Sequence, residues 1–265
     1  MNKKIITLGP KFSYSYNVAF KYYENAYIEP VDTIDAVFEN ISKDNHGIVP
    51  IENMLNGSVR ETFLALQKNN ISIIKAFDYS IEHVISSQSN NFDTVMSHAQ
   101  ALVQCSEYVN TLRAEGIKVI EVSSTSRAME IAAKKSNVAA IGSTYAVEHY
   151  GLDVIKSDIS NKNRNITRFI EINKGQKQMS GEKTSIIITP QSDRSGLLFE
   201  ILSIFKIKNL NLTKIESIPT GEKMNDYIFY LDLDGCMEDK NMKEAFDFLN
   251  TFVDVTILGS YNIVR

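Results

Sequence analysis

What constrains this chain most is a rhythm that stops. Up to about residue 172, short apolar runs alternate with helical apolar stripes, and a polar, glycine-bearing stretch, "NKGQKQMSGEK" from Asn173 to Lys183, then interrupts the pattern. Before the break, Ile5, Ile6 and Leu8 precede a helix predicted to begin near Ser13. "YIEPV" precedes Ile34, Val37, Phe38 and Ile41 at i, i+3, i+4 and i+7, and "GIVPI", "ISIIKAF", "DTVMS", "KVIEV" and "VAAIG" continue the series of strands. Leu102, Cys105, Val109 and Leu112 make one stripe, which predicts a single helix over Ala99 to Leu112. Strands alternating with helices imply an α/β domain with a largely parallel sheet, joined by crossovers and covered on both faces. After the break the order changes kind. "TSIIIT", the stripe Leu197, Leu198, Ile201, Leu202, Phe205, then "NLTKIES", "DYIFYLDLDG", the stripe Met242, Ala245, Phe246, Leu249 and the closing strand near "VTILGSYNIV" spell β-α-β-β-α-β, the ferredoxin-like order. The polar stretch therefore reads as a linker between two domains.

Composition removes several classes of function. A chain of 265 residues with 43% hydrophobic and 23% charged residues has room for two domains and apolar mass for their cores. Twenty-eight Lys and Arg against 32 Asp and Glu give a net charge of -4, and no basic run occurs, which argues against a nucleic-acid surface while leaving room for a local cationic pocket. Cys105 and Cys236 lie far apart and His46, His83 and His149 have no ligand spacing, so reduced thiols and no metal are expected. His98 follows a candidate N-cap and reads as orienting a helix start. The N-terminus has too short an apolar run for a signal peptide, and no span approaches the roughly 20 apolar residues of a membrane helix, so no membrane partner and a cytoplasmic location are expected. GxGxxG, GxxxxGK and GxSxG are all missing, so nucleotide cofactors and acyl-enzyme chemistry have no signature.

Ligands of open α/β sheets collect beyond the carboxyl ends of strands, where helix N-termini offer unpaired N–H groups. Four such turns bring hydroxyls or amides to a helix start: "GPKFSYS" after Leu8, "ENMLNGSVRE" after Ile51, "SHAQ" after Met96 and "SSTS" after Val122. Ser58 to Glu61 and Ser97 to Gln100 have the spacing of capping boxes, so part of this pattern is helix capping. A fifth place is "NKNRNITRFIEIN", where Thr167 and Arg168 stand as the strand of Phe169, Ile170 and Ile172 begins. Either Thr167 is a strand former and Arg168 faces water, or Arg168 receives an anion and Thr167 is a hydroxyl held for chemistry. With Arg168, the four turns suit a small, multiply anionic ligand, since charge-assisted hydrogen bonds of about 1.5–3 kcal/mol each can converge. Glu52 reads as a general base or a capping carboxylate, and Asn53 as an equally good ligand contact.

The spelling of these turns resembles the prephenate dehydratases of the monofunctional type, which carry a C-terminal ACT domain. The resemblance runs through "LGP" at Leu8, "GIVPIEN" from Gly47, "SHAQALVQC" from Ser97, "SST" from Ser123, "AAIGS" from Ala139, "NITRF" from Asn165, "KTS" at Lys183 and "NLTKIES" from Asn211. It implies a two-lobed, periplasmic-binding-protein-like catalytic domain over residues 1–177, with lobes 1–76 plus 165–177 and 77–164, and a ferredoxin-like ACT domain over 183–265. It also implies conversion of prephenate to phenylpyruvate on the route to L-phenylalanine, without a cofactor because forming the aromatic ring supplies the driving force. Thr167 would help the hydroxide leave, Arg168 would pair with a carboxylate and Phe169 would pack behind them. Ser15, Glu52, Asn53, Ser97, Gln100, Ser124 and Thr125 would bind substrate.

The family's effector, L-phenylalanine, would sit between paired ACT domains of a homodimer or homotetramer, at Gly196, Leu197, Leu198, Asn211, Glu216 and Ser217. The chain departs from the family at five positions. Phe12 replaces a glycine, which implies a differently shaped first turn; Met54 replaces a serine, Ala99 a proline, Asn161 an aspartate and Ile218 an arginine, the last implying an altered effector response. An arogenate dehydratase, a prephenate decarboxylase and a catalytically silent amino-acid or anion sensor are the alternatives. Thr167 argues against the decarboxylase, which releases no hydroxide.

Overall fold

The apolar runs pair into three sheets. The structure is a computed structural model that describes residues 3–162, 164–175, 177–192, 194–220 and 227–265. Lobe 1 is built from β1 (Lys4–Leu8), α1 (Tyr14–Tyr22), β2 (Tyr27–Val31), α2 (Ile34–Asn40), β3 (Asn45–Asn53), β4 (Gly57–Ser58), α3 (Arg60–Lys68) and β5 (Ser72–Ser80). Lobe 2 comprises β6 (Val84–Ser87), β7 (Thr94–Ser97), α4 (Ala99–Gln104), α5 (Ser106–Ala114), β8 (Lys118–Glu121), α6 (Thr125–Ala132), β9 (Val138–Gly142), α7 (Thr144–Tyr150) and β10 (Asp153–Lys156). The chain returns to lobe 1 along β11 (Ile166–Asn173). The C-terminal unit is β12 (Lys183–Pro190), α8 (Leu197–Ile207), β13 (Leu212–Pro219), β14 (Tyr227–Asp234), α9 (Lys240–Leu249) and β15 (Val253–Tyr261), followed by β16 (Ile263–Val264).

The lobe 1 sheet has the order β16-β5-β11-β3-β1-β2 with β4 beside β3, the lobe 2 sheet β10-β6-β9-β7-β8, and the C-terminal sheet β13-β14-β12-β15. The C-terminal order is the βαββαβ unit read from the sequence. The two lobes, however, are mixed rather than largely parallel. β11 runs antiparallel to both β3 and β5, and β6 antiparallel to β9 and β10. The cause is the path of the chain: β5 leaves lobe 1 and β11 comes back beside it, so the two connecting strands must run in opposite directions. Their pairing extends to Ser80 opposite Ile166, which puts the outward crossing after Ser80 and not near Ala76.

Two further expectations are corrected. The stripe from Ala99 to Leu112 is two helices, broken at Cys105, and Asn161 fills the break by accepting from the Glu107 N–H at 3.0 Å and donating to Ser106 Oγ at 2.7 Å. The closing strand also divides. β15 completes the C-terminal sheet, while Ile263 and Val264 turn back to pair parallel with Ala76 and Phe77 of β5.

Alternation along the lobe 1 strands gives that sheet two apolar faces. Ile5, Ile48, Phe77 and Phe169 pack under α1 on one face. Ile6, Val49, Ile170 and Ile172 pack on the other against α2, α3 and the C-terminal unit. The seat of that unit is specific. Phe63 of α3 meets Tyr230 edge-on at 4.7 Å between centroids, and Ile187, Ile218, Ile228 and Leu258 join the same core. Beside it lies a buried polar cluster in which Ser185 Oγ donates to Asp232 Oδ1 at 2.5 Å and stands 2.9 Å and 2.7 Å from the Tyr230 and Tyr261 hydroxyls. Burial pushes the Asp232 carboxyl above its usual range.

β15 crosses β5 so closely that only glycine fits at one point. Gly259 has φ 149°, and a Cβ added there would stand 2.5 Å from the Ile73 carbonyl oxygen. Gly259→Ala is expected to cost about 1–3 kcal/mol through overpacking and left-handed strain. Equilibrium unfolding by denaturant reads this directly, and an unchanged midpoint would refute the close docking.

Candidate active site

Between the lobes lies a cavity of about 470 Å³, at the carboxyl ends of the strands, where the sequence placed it. Lobe 1 lines it with Leu8, the start of α1 (Ser13, Tyr14, Ser15), Pro50 and Asn53 of β3, Val59 and Glu61 at α3, and Thr167 and Phe169 of β11. From lobe 2 come His98, Gln100 and Gln104 at α4, and Ser123, Ser124 and Thr125 at α6. The first turns of α1, α3 and α6 thus converge on one space. Ser13 Oγ caps α1 through the Tyr16 N–H at 3.2 Å and Ser124 Oγ caps α6 through the Arg127 N–H at 3.0 Å. These caps leave other first-turn N–H groups and the positive dipole ends facing the cavity. Among the described residues, neither Lys nor Arg lines it.

The floor is an amide and hydroxyl cluster. Asn53 Nδ2 donates to Thr167 Oγ1 at 2.8 Å and to Asn165 Oδ1 at 2.8 Å. Asn53 Oδ1 accepts from the Leu55 and Asn56 backbone N–H groups at 3.1 and 3.0 Å and from Asn56 Nδ2 at 3.0 Å. Thr167 and Asn53 face each other because they are cross-strand partners in β11 and β3. Just past the outward crossing His83 is buried, with Nε2 at 2.8 Å from Gln104 Oε1 and Nδ1 at 3.1 Å from the Tyr14 hydroxyl, which itself donates to the Glu82 carbonyl at 2.6 Å. Burial lowers the His83 pKa, keeping the ring neutral at pH 7, and burial raises that of Tyr14 well above 10, keeping it protonated.

The structure brings together Ser15, Asn53, Gln100, Ser124, Thr125, Thr167 and Phe169, but not three other residues expected at the site. Arg168 does not reach the cavity. Its side chain leaves the opposite face of β11 and forms a two-point ion pair with Asp78, Nε to Oδ1 at 2.7 Å and Nη2 to Oδ2 at 2.8 Å. Glu52 also lies on that face and pairs with Lys214 of β13 at 2.8 Å. In both cases the reason is local alternation: Arg168 follows Thr167 and Glu52 precedes Asn53, so both turn away from the cleft, and a one-residue bulge between Arg168 and Phe169 shifts the register beyond them. Ser97 is buried between strands, donating to the Ile141 carbonyl at 2.7 Å. Neither capping box forms. Val59 and His98 occupy the N-cap positions, His98 with its own ring accepting from the Gln100 N–H, and Ser58 is drawn to the C-terminal unit, where it donates to Glu216 at 2.6 Å.

The departures also find places. Phe12 adopts φ 65°, the left-handed conformation open to a glycine, so the first turn keeps a glycine-like backbone at that residue rather than losing it. Its ring stacks on His149 at 3.5 Å and packs by Tyr16 and Tyr145, bridging α1 and α7 across the lobes. Met54 is 59% exposed, and Ile218 is buried against α3 in the seat of the C-terminal unit. Of the expected effector residues, Gly196 begins α8 in the left-handed region, Leu197 is buried, Leu198 half-buried and Ser217 exposed; Asn211 donates to Asp234 at 2.6 Å. Sequence reasoning missed Asn165, Tyr14 and Gln104, and weighed His83 only as a metal ligand. The one available signal was their position, in or beside the turns already singled out. Among the described residues, no three His, Cys, Asp or Glu side chains gather as a metal site, and no helix is long and apolar enough to cross a membrane.

Comparison with known proteins agrees on the whole length. The prephenate dehydratase family model matches residues 5–177 and the ACT domain model residues 184–250. The prephenate dehydratase of Methanocaldococcus jannaschii is 36% identical, over 99% of each chain. Among solved structures, the prephenate dehydratase of Staphylococcus aureus superposes with a TM-score of 0.86 at 26% identity, covering 98% of this chain and 100% of that one. That of Arthrobacter aurescens, solved in complex with L-Phe, gives 0.88 at 25% identity, covering 99% and 90%.

The Arg168 geometry makes a prediction that runs against its expected role. Arg168→Ala strands the Asp78 carboxylate, half out of water, and is expected to destabilise the fold by about 1–3 kcal/mol. Substrate affinity should change less than threefold, a margin set by the absence of contact. A steep loss of affinity with an unchanged unfolding midpoint would return Arg168 to the site.

Proposed function

The chain belongs to the prephenate dehydratase family, and from that premise we propose that its interlobe cleft turns prephenate into phenylpyruvate, carbon dioxide and water. The observation that carries this reading is the hydroxyl of Thr167, buried to 8% exposure and held by Asn53 at 2.8 Å on the floor of a cavity ringed by helix N-termini. Prephenate carries two carboxylates, one on the ring and one on its pyruvyl arm. With no lysine or arginine lining the cavity among the described residues, these are held by N–H groups and hydroxyls of the α1 and α6 starts, including Ser15, Ser124 and Thr125, with Gln100 beside them. At about 470 Å³ the cavity suits a molecule of this size.

The reaction needs little covalent help. The bond from the ring to its carboxylate breaks, its electron pair moves through the diene, and the hydroxide at the far ring carbon departs, leaving an arene. The site lowers the barrier by stabilising the departing oxygen. A threonine hydroxyl is a poor acid at pH 7, so Thr167 acts as a placed hydrogen-bond donor, and Phe169 beneath it keeps the floor dry. Thr167→Ala is expected to retain substrate binding and lose about 10²–10³ in kcat, the usual result of removing one placed donor. Absorbance of phenylpyruvate formed from prephenate measures it, and an undiminished kcat would remove Thr167 from the mechanism.

The C-terminal unit is read as the regulatory part, answering to phenylalanine, and the enzyme as a cytoplasmic homodimer or homotetramer. Two features support pairing of these units. β13 is an edge strand with Ile215 facing outward, and Phe199 and Ile207 on α8 are 75% and 79% exposed. Contact with the active site is short: Lys214 bonds Glu52 at 2.8 Å and Ser58 at 3.0 Å, and Glu52 is the chain neighbour of Asn53. Added phenylalanine is expected to lower turnover of the purified protein. A titration without response would end the regulatory reading.

A further inference from the structure

We propose that Asn165 is a positioning residue for this reaction: it sets the direction in which Thr167 donates its hydrogen. The inference rests on the functional reading above and deepens it. It begins with Asn53, whose amide orientation is settled by its surroundings. Two backbone N–H groups, of Leu55 at 3.1 Å and Asn56 at 3.0 Å, point at one end of that amide, so this end is the oxygen and the other the NH2 group. The NH2 group has two hydrogens and two acceptors at 2.8 Å, Asn165 Oδ1 and Thr167 Oγ1, with the Ile166 carbonyl farther away at 3.4 Å. Both hydrogens are therefore spent inside the protein, and Asn53 has no donor left to offer a substrate.

The consequence falls on Thr167. An NH2 group cannot accept, so the Thr167 hydrogen cannot return along the bond that Asn53 makes to it. No other protein acceptor for this hydroxyl is found among the described residues, and Thr167 lines the cavity. Its hydrogen is left the cleft alone. Asn165, 4% exposed, is what keeps the arrangement single-valued. By taking one Asn53 hydrogen it turns the other onto Thr167, and the resulting series N–H to O–H to departing oxygen polarises in one sense. Without that acceptor the Asn53 amide is anchored at its oxygen end alone, one of its hydrogens is left unpaired in a buried place, and the other is polarised less strongly toward Thr167.

The test is steady-state kinetics with prephenate on Asn165→Leu, which keeps the size and removes the acceptor, and on Asn165→Asp, which keeps the acceptor. Asn165→Leu is expected to lower kcat about ten- to hundredfold, less than loss of the hydroxyl itself, with KM within about threefold. Asn165→Asp should recover most of that kcat. In a Thr167→Ala background Asn165→Leu should cost no further turnover, because its effect passes through the missing hydroxyl. If the leucine variant does not fold, judged by its unfolding transition, Asn165→Ala carries the same comparison. Full additivity with Thr167→Ala, or an unchanged kcat in the leucine or alanine variant, would overturn the proposal while wild-type turnover leaves the functional reading standing. Wild-type protein inert toward prephenate would overturn both.

Discussion

Two neighbouring strands, β3 and β11, run antiparallel and are each read from both sides. Successive side chains on a strand point to opposite faces, so one register decides two surfaces at once. Because Asn53 sits opposite Thr167, Glu52 sits opposite Arg168 one residue away, on the reverse face. The front of this pair is the floor of the cleft. The back carries the Arg168–Asp78 and Glu52–Lys214 ion pairs, over which the C-terminal unit is seated. A slip of one residue would exchange the two, putting a guanidinium in the cavity and a threonine in the interface. The buried isoleucines 170 and 172 on one face and Phe169 on the other hold the adjoining stretch, and a one-residue bulge between Arg168 and Phe169 shifts the pairing so that Asn53 meets Thr167.

The charge of the site follows from the same economy. Positive ends of helices α1 and α6 face the cavity, that of α3 is offset by the Glu61 carboxylate in its first turn, and the nearby arginine is consumed in a structural pair. Backbone N–H groups are fixed in direction by the helices that bear them, and they leave no long side chain to order when a ligand arrives. On the proposed reading a dianion would be met by donors already in place, while the neutral His83 and protonated Tyr14 line the cleft without adding charge of their own.

Much of this was legible in the sequence, and the parts that were not share a physical reason. Periodicity gave the βαββαβ order and most strands, since those signals are local, but not β4, β6, β10 or β16, which are too short to show a period. The turns beyond Leu8, Ile51 and Val122 were found because helix starts next to strand ends announce themselves through Ser, Thr and Asn. Arg168 and Glu52 stand beside Thr167 and Asn53 in the sequence but not in space, because adjacent residues of a strand such as "TRFIEI" leave on opposite faces. Ser58 and Ser97 fitted capping boxes by spacing, yet Glu216 and the Ile141 carbonyl, distant in sequence, claimed their hydroxyls. Asn165 escaped for the opposite reason: its value lies in which hydrogen of Asn53 it takes, and only coordinates supply that.

The last residues of the chain add a constraint of their own. After completing the C-terminal sheet, Ile263 and Val264 are sewn onto the free edge of the lobe 1 sheet, alongside β5, which continues into the crossing toward lobe 2. A body tethered at its beginning and its end cannot lift like a flap on a single pivot; it can tilt or slide as a plate. Sliding of that plate would load the sheet beneath it along its strands, the direction in which Thr167 and Asn53 would shift past each other.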